Sequence, residues 1–384
     1  MKKFQVKIVC VLLVVLLLPV LACFTAGAEE NVEGLGDVPC ASAILMDAAT
    51  GTVLFEQNAD EALPPASVTK VMTLLLVMEA VESGRISLSD PVSTSAKAAS
   101  MGGSQVYLKE GECMTVEEMV KCVVIASAND CAVALAEHVA GSEEAFVAAM
   151  NARAVELGMK NTCFENTNGL DDTAKMHLTS ARDIALMSRA LIAHPKILEY
   201  SGIWMDSIRG GSFGLTNTNR LVRFYPGCTG LKTGSTARAG FCISATAERD
   251  GLSLICVVMK AQTRDIRNAT AAKLLDFGFA NYTTLRAEGG ERVCKVKGGI
   301  SPALRAVWQP FAATVSRGSG VPESEVVLPE SLQAPIKEGD VLGEVIYRRG
   351  GKEIGRVPIL AGESIEHISF GVLLKRVLFA MISI

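Results

Sequence analysis

The sequence predicts an α+β protein: an antiparallel sheet with helices on its faces, then a small all-β module and a terminal amphipathic helix. Three observations lead to this reading. Short apolar, strand-like runs lie near residues 41–55 and again at 230–259, with helix-period segments between them. A single sheet built from both ends of that segment, covered by the intervening helices, satisfies the order. After Tyr282 the texture changes to Gly, Pro and short β-type runs, and the last residues return to a helical period. With 384 residues the chain is long enough for two domains. The expected divisions are 1–28, 29–282, 283–368 and 369–384.

Taken in order, Ala41 to Met46 and Thr52 to Phe55 flank Asp47-Ala-Ala-Thr-Gly51, a hairpin pattern. Pro64 and Pro65 stop the chain just before a helix that runs to about Glu82 and ends at Ser83-Gly84. A looped stretch, Ser87 to Glu112, follows. Thr115-Val-Glu-Glu118 reads as a capping box opening a helix from Val116 to about Ser127. A helix over Ala132 to Ala140 is expected beyond Ser127-Ala-Asn-Asp130. Another spans Ser142 to Leu157, with Phe146, Met150 and Val155 assigned to one face. Asn166-Thr-Asn-Gly169 is a turn. Thr179 to Ala193 is helical, capped by Thr179 or Ser180 and closed by His194-Pro195. Strands are expected at Gly230–Thr233, Gly240–Thr246 and Leu252–Met259, the last two joined by the hairpin turn Glu248-Arg-Asp-Gly251. A helix from Arg267 to about Tyr282 completes this part.

The β module carries strand-like runs at Arg292–Val296, Leu304–Val307, Ala312–Val315, Val341–Tyr347 and Ile354–Ile359, with Gly-rich turns between them. In the terminal helix, Ser369 to Ile384, about 100° per residue puts Phe370, Leu373, Leu374, Val377, Met381 and Ile384 on one face. Lys375, Arg376, Ser369 and Ser383 fall on the other. The stretch is too short and too charged in its middle to span a bilayer, and suits a helix lying in the headgroup region. Packing on the protein's own core is the alternative.

The first residues read as an export leader. Lys2, Lys3 and Lys7 precede an apolar run from Val9 to Leu21, and Ala26-Gly27-Ala28 is a small-x-small cleavage pattern. An uncleaved anchor, or lipid attachment at Cys23, are the alternatives; the apolar run is shorter than the ~20 residues of a typical span. The body of the protein is expected outside the cytoplasm, peripheral on the outer face of the cytoplasmic membrane. Net charge is −4, and losing the three leader lysines makes it −7. An acidic exported chain without a basic cluster argues against nucleic-acid binding. Nine cysteines lie beyond the leader, an odd number that rules out a complete set of intrachain disulfides. Cys122, Cys242 and Cys256 sit in apolar runs, as small hydrophobes do, and mostly reduced, buried thiols are expected. No Cys-x-x-Cys pair or Cys/His cluster occurs, so neither a metal nor a cofactor is expected.

Chemistry concentrates in three motifs. Ser67-Val-Thr-Lys70 opens the helix after Pro64-Pro65, so Lys70 lies one turn from Ser67 on the same face. A lysine partly desolvated by apolar neighbours loses its charge and can take the serine's proton. The plain alternative for Ser67 is a helix cap. Ser127-Ala-Asn129 lies between two helices, and Lys232-Thr-Gly234 on a strand, followed by Ser235. Each is weak alone. In this order, in an exported chain, they form the Ser-x-x-Lys, Ser-x-Asn, Lys-Thr-Gly set of penicillin-binding proteins and class A β-lactamases.

The sequence resembles the D-alanyl-D-alanine carboxypeptidases, the low-molecular-mass penicillin-binding proteins. The matching stretches are Pro65-Ala-Ser-Val-Thr-Lys70, Val106-Tyr-Leu-Lys-Glu-Gly-Glu112, Ser127-Ala-Asn-Asp130, Asn168-Gly-Leu-Asp-Asp172, Ser180-Ala-Arg-Asp183, Tyr225-Pro-Gly227 and Gly230-Leu-Lys-Thr-Gly-Ser-Thr236. They cover roughly 38–282, and the resemblance extends less specifically to the β module and terminal helix. Cys228-Thr229 departs from the Val-Asp frequent in the family. The resemblance implies a penicillin-binding/β-lactamase-like fold. It also implies acyl transfer: Lys70 as base, Ser67 as nucleophile, and the N–H groups of Ser67 and Ser235 holding the oxyanion. Ser127 relays a proton to the leaving D-alanine. Asn129 bonds the substrate amide, while Lys232, Thr233, Gly234 and Arg267 complete the substrate site around the terminal carboxylate. The implied partners are the peptidoglycan stem peptide, β-lactams as acylating inhibitors, and the membrane surface.

Three other readings compete. A class A β-lactamase needs a deacylating loop Glu with Asn four residues on; at Glu165 that position is Gly169. A penicillin-binding wall sensor without turnover would keep the pocket. Endopeptidase action would use the same site.

Overall fold

In the computed structural model, described for residues 35–171, 174–318 and 322–382, the chain divides into Met1–Gly36 and a unit from Asp37 onward. The leader expected at 1–28, Asp172 and the tip of the 318–320 turn lie outside the described residues.

The first sheet has five strands in the order β2-β1-β9-β8-β7, every neighbour antiparallel. Strands β1 (Ser42–Asp47) and β2 (Val53–Gln57) form the expected hairpin. Strands β7 (Cys228–Thr236), β8 (Gly240–Arg249) and β9 (Leu252–Ala261) come from the far end of the segment. Asp250 and Gly251 both take positive φ at the β8–β9 turn, as a tight hairpin requires. Helices cover both faces, which is why β9 reads as a nearly unbroken apolar run. The helix Arg264–Asn281 packs on β8 and β9 on one side, and Ala181–Ile192 on β1 and β9 on the other.

Between the two ends lie the helices that build the main apolar core. Lys70–Glu82 is its central helix, buried nearly all round. The Thr115–Glu118 capping box is present in full, and Ser180 caps Ala181–Ile192. Several boundaries differ from the sequence expectation, each for a local reason. The helix opened at Val116 stops at Lys121 and continues as a π turn, Cys122–Ala126. The next helix begins at Asn129, not Ala132, because the buried Asp130 carboxylate accepts the Cys131 N–H in its first turn. Val155 is 78% exposed, whereas Phe146, Met150 and Ala154 are buried; nine residues from Phe146 is half a turn off its face. The last helix of the segment starts at Arg264 rather than Arg267, capped by the Thr263 hydroxyl, which accepts the Ile266 N–H. His194-Pro195 closes one helix and opens another, Pro195–Ser201, since proline suits a first helical turn. The hairpin Met205–Ile208 with Phe213–Thr216 was not anticipated.

The β-rich part forms a six-stranded sheet in the order β14 (Pro322–Val327), β16 (Val341–Arg349), β17 (Lys352–Ala361), β12 (Ala303–Trp308), β11 (Gly290–Lys297) and β15 (Ser331–Gln333), and a two-stranded ladder of β10 (Tyr282–Ala287) and β13 (Phe311–Ser316). It has its own core around Leu304, Ala306, Val345 and Ile359, and Phe311 stacks on Tyr347 with ring centroids 4.1 Å apart. A polar seam joins it to the first sheet: the buried Asp47 carboxylate accepts hydroxyl bonds from Thr50, Thr284 and Thr314.

The nine cysteines from Cys40 to Cys294 are free, five of them buried and Cys113 and Cys163 exposed. Phe370–Ile382 is helical with Phe370, Leu373, Leu374, Val377 and Met381 exposed, so it is not packed into the core. Phe379 is also exposed, between Lys375 and Arg376 on the face expected to be polar.

Candidate active site

The site is organised by a 3₁₀ turn, Ala66–Thr69, that follows Pro64-Pro65 and leads into the Lys70–Glu82 helix. Ser67 is not a cap: the hydroxyl sits 2.9 Å from Lys70 Nζ. Ala66 adopts φ +48°, a left-handed conformation costly for a residue with a Cβ. The strain falls on the residue immediately before Ser67.

Lys70 is fully buried. Its Nζ lies 2.6 Å from Asn129 Oδ1 and 2.8 Å from the Asn168 carbonyl. Both of those oxygens only accept. In the neutral amine, with two N–H groups and one lone pair, the N–H groups go to these two oxygens and the lone pair is left for the Ser67 hydroxyl. Burial first, and the nearby Lys232 second, hold the Lys70 ammonium well below the usual lysine range, against an opposing pull from Asp130.

Ser127 ends the π turn in the left-handed region, φ 65° and ψ 30°. That backbone turns its side chain onto the cavity. Asn129 stands behind it. Its Oδ1 meets Lys70, its Nδ2 donates to the Gly102 carbonyl at 2.7 Å, and it does not line the cavity. In this arrangement both ends of the Asn129 amide are engaged within the protein.

Strand β7 forms the opposite wall. Gly234 is required by packing: a Cβ there would lie 2.7 Å from Ser67 N and 2.8 Å from Pro65 O. The absence of a side chain lets the strand touch the Ser67 turn, bringing the Ser235 and Ser67 backbones to one side of the cavity. Thr233 Oγ1 donates to Thr218 Oγ1 at 2.8 Å. Lys232 lies behind the wall, 1% exposed, with Nζ 2.9 Å from the Thr233 carbonyl. Burial, then the Arg267 guanidinium, lowers its ammonium to about 7. Arg267 is buried and lines the cavity. Burial, then Arg264, brings its own value down to about 10.

The cavity is about 630 Å³. Of the residues expected from sequence, Ser67, Ser127, Thr233, Gly234, Ser235 and Arg267 line it, with Lys70, Asn129 and Lys232 directly behind. Sequence reasoning missed Ser104, Trp204, Thr218, Arg220, Phe224 and Arg264 in its lining. The available signal was Asn217-Thr-Asn219. Asn217 accepts the Asn219 N–H, and Asn219 donates to the Gly230 carbonyl, an Asx-turn pattern that fixes Thr218 beside Thr233. Other residues of the matching stretches brace the framework around the site. Asp130 accepts the N–H groups of Val106 and Leu108, Asp183 accepts those of Asn161 and the Thr162 hydroxyl, and the Tyr225 hydroxyl donates to Asp276.

This constellation has counterparts. The profile of the D-alanyl-D-alanine carboxypeptidase family matches residues 27–263, and that of the penicillin-binding protein 5 C-terminal domain matches 307–367. The D-alanyl-D-alanine carboxypeptidase DacF of Bacillus subtilis (strain 168) is 42% identical over 345 residues, covering 87% of this chain and 88% of its own. The crystal structure of penicillin-binding protein 5 from Haemophilus influenzae is 29% identical with a TM-score of 0.77, covering 86% of this chain and 98% of its own. Penicillin-binding protein D2 from Listeria monocytogenes in its ampicillin-bound form is 33% identical with a TM-score of 0.58, covering 63% and 98%. With the serine, the buried lysine and the Lys-Thr-Gly strand converging on one cavity, and with that extent of match, the chain belongs to the D-alanyl-D-alanine carboxypeptidase family.

Proposed function

We propose that this protein is a serine-type D-Ala-D-Ala carboxypeptidase that removes the terminal D-alanine from peptidoglycan stem pentapeptides and is acylated by β-lactams. The observation that carries the reading is the Lys70 amine, buried, 2.9 Å from the Ser67 hydroxyl and also in contact with the Asn129 and Asn168 oxygens. Neutral Lys70 takes the Ser67 proton, and Ser67 Oγ attacks the carbonyl of the penultimate D-alanine. The N–H groups of Ser67 and Ser235 hold the oxyanion. Ser127 passes a proton to the departing D-alanine amine. Thr233 and Arg267 meet the terminal carboxylate, with Lys232 supplying positive potential from behind the wall. Asn129 keeps Lys70 oriented. Water then releases the acyl group and frees Ser67.

β-Lactams enter the same route and are held. Glu165, the one loop glutamate considered for fast deacylation, does not line this cavity; its carboxylate accepts the Met176 N–H at 3.1 Å. The Listeria monocytogenes relative solved in an ampicillin-bound form supports binding of β-lactams at this site.

The same reading assigns 1–28 as an export leader, 29–282 as the catalytic domain, 283–368 as the β-rich domain and 369–384 as a peripheral anchor on the outer face of the cytoplasmic membrane. Among the described residues no helix is long and apolar enough to cross a membrane, which suits attachment at the interface. The test is direct. Purified protein incubated with a muropeptide pentapeptide is expected to produce a species one alanine lighter, and Ser67→Ala to produce none. No product from the wild type, or unchanged product from Ser67→Ala, overturns the assignment; rapid nitrocefin turnover would make it a β-lactamase.

A further inference from the structure

His177 lies outside the three motifs and outside the cavity, yet it is tied to the Ser67 turn. It is buried, and the two residues that follow it are pinned: Leu178 bridges to Cys163 and Thr179 to Leu63. Its ring packs on Phe164 with centroids 5.7 Å apart. Nδ1 lies 3.0 Å from the Glu165 backbone N, which can only donate, so Nδ1 accepts. Burial lowers its imidazolium to about 4 against the pull of Glu165 and Asp171, and the neutral ring therefore carries its proton on Nε2. That nitrogen is 2.7 Å from Thr69 Oγ1, and the Thr69 hydroxyl is 2.8 Å from the Ala66 carbonyl. The carbonyl only accepts. Every step of the relay therefore has one direction: Glu165 N–H to His177, His177 Nε2–H to Thr69, and Thr69 O–H to Ala66 C=O.

The end of the relay is the informative part. The Ala66 carbonyl and the Ser67 N–H belong to one planar peptide unit and point in opposite directions. Whatever aims the carbonyl aims the N–H. The unit follows the left-handed Ala66, so its orientation needs outside support. Gly169 supplies the second grip, since a Cβ there would fall 1.8 Å from the Ala66 oxygen. We propose that His177 is a positioning residue that aims the Ser67 N–H at the oxyanion, acting through the Thr69 hydroxyl and the Ala66 carbonyl. The proposal rests on the acyl-transfer reading given above, in which that N–H is an oxyanion donor.

The experiment separates binding from acylation in the full chain. The pre-covalent dissociation constant and the acylation rate constant are measured with a fluorescent penicillin for wild type, Thr69→Val, His177→Phe, His177→Gln and the Thr69→Val/His177→Phe pair. Valine keeps the shape of Thr69 without its hydroxyl. Phenylalanine keeps the ring on Phe164, and glutamine restores an N–H near the Nε2 position. The expected result for the first two is an acylation rate about 10- to 100-fold lower, with the dissociation constant within about twofold. The glutamine variant is expected to recover most of the rate. The double variant is expected to be no slower than the slower single, because both break one relay.

Wild-type acylation by Thr69→Val and His177→Phe, losses confined to the dissociation constant, a glutamine variant as slow as phenylalanine, or multiplying losses in the pair would each overturn the proposal. If His177→Phe fails to fold, Thr69→Val decides alone. Wild-type release of D-alanine from a pentapeptide is measured in parallel. Its absence would count against the carboxypeptidase reading, while the acylation comparison would still decide the role of His177.

Discussion

Two buried lysines a short distance apart must hold opposite protonation states for the proposed chemistry. Lys70 has to be neutral to receive a proton, and Lys232 has to be charged to attract a carboxylate. Burial depresses both, Lys70 well below the usual lysine range and Lys232 to about 7. In the free enzyme, kcat/KM is therefore expected to fall as pH rises through about 7, because the charged form of Lys232 is lost. A bound carboxylate favours that charged form, so the alkaline limb of kcat is expected at higher pH than that of kcat/KM. Arg267 is the charged neighbour that lowers Lys232. Arg267→Ala removes a like charge, so the kcat/KM limb is expected to move upward in pH while KM rises. A pH profile with a pentapeptide substrate checks both, and an unmoved limb would show that the two groups are not coupled. Gly234 gives a second test at this scale. Gly234→Ala pushes a methyl group against Ser67 N and Pro65 O, so penicillin acylation is expected to drop about 100-fold. The accompanying stability loss is about 1–3 kcal/mol by thermal unfolding. Acylation at the wild-type rate would mean that β7 is free to retreat.

The helix that ends in a π turn before Ser127 does for the second motif what the Pro-Pro stop does for the first. The extra residue per turn in Cys122–Ala126, followed by left-handed Ser127, swings the hydroxyl onto the cavity. Ser127→Gly and Ser127→Ala both remove the hydroxyl and are expected to slow D-alanine release alike. They differ in stability: alanine keeps the Cβ penalty at φ 65° and glycine does not, so the glycine variant is expected to be more stable by about 1 kcal/mol. Equal melting temperatures would argue that the serine backbone relaxes. This element also shows where sequence is readable. Ser67 and Lys70 could be paired from spacing alone, because one helical turn separates them. The π turn could not, since the residues 116–127 fit an ordinary helix. The protein partners of Asn129 were not readable because they are distant: Gly102 is 27 residues away and Lys70 is 59. The sheet strands were legible from apolar runs at both ends of the segment. The cavity's far wall was not, because Trp204 lies in a bend just before the strand Met205–Ile208 and Phe224 ends the four-residue helix Leu221–Phe224, neither of which carries an apolar period.

At the scale of the whole chain, the proposed catalytic groups and the proposed anchor lie in different parts of the sequence. The catalytic groups sit where the Ser67 turn meets β7, and the buried Asp47 on β1 hydrogen-bonds to β10 and β13, which fastens the β-rich part to the same sheet. Beyond it, Phe370–Ile382 presents Phe370, Leu373, Leu374, Val377, Leu378, Phe379 and Met381 to solvent. Thirteen helical residues rise about 20 Å, short of the ~30 Å hydrocarbon layer. A helix of that length with so much exposed apolar surface is stable against a headgroup layer and poorly stable in water. Lys375 and Arg376 add attraction to anionic lipid. Ending the chain after Ile368 removes this helix without touching either core. The truncated protein is expected to release D-alanine from a soluble pentapeptide with unchanged kcat and KM, and to move from the membrane to the soluble fraction once the leader is cleaved. Activity lost with the helix would tie it to the fold of the β-rich part. Continued membrane association after leader cleavage would place the anchor elsewhere in the chain.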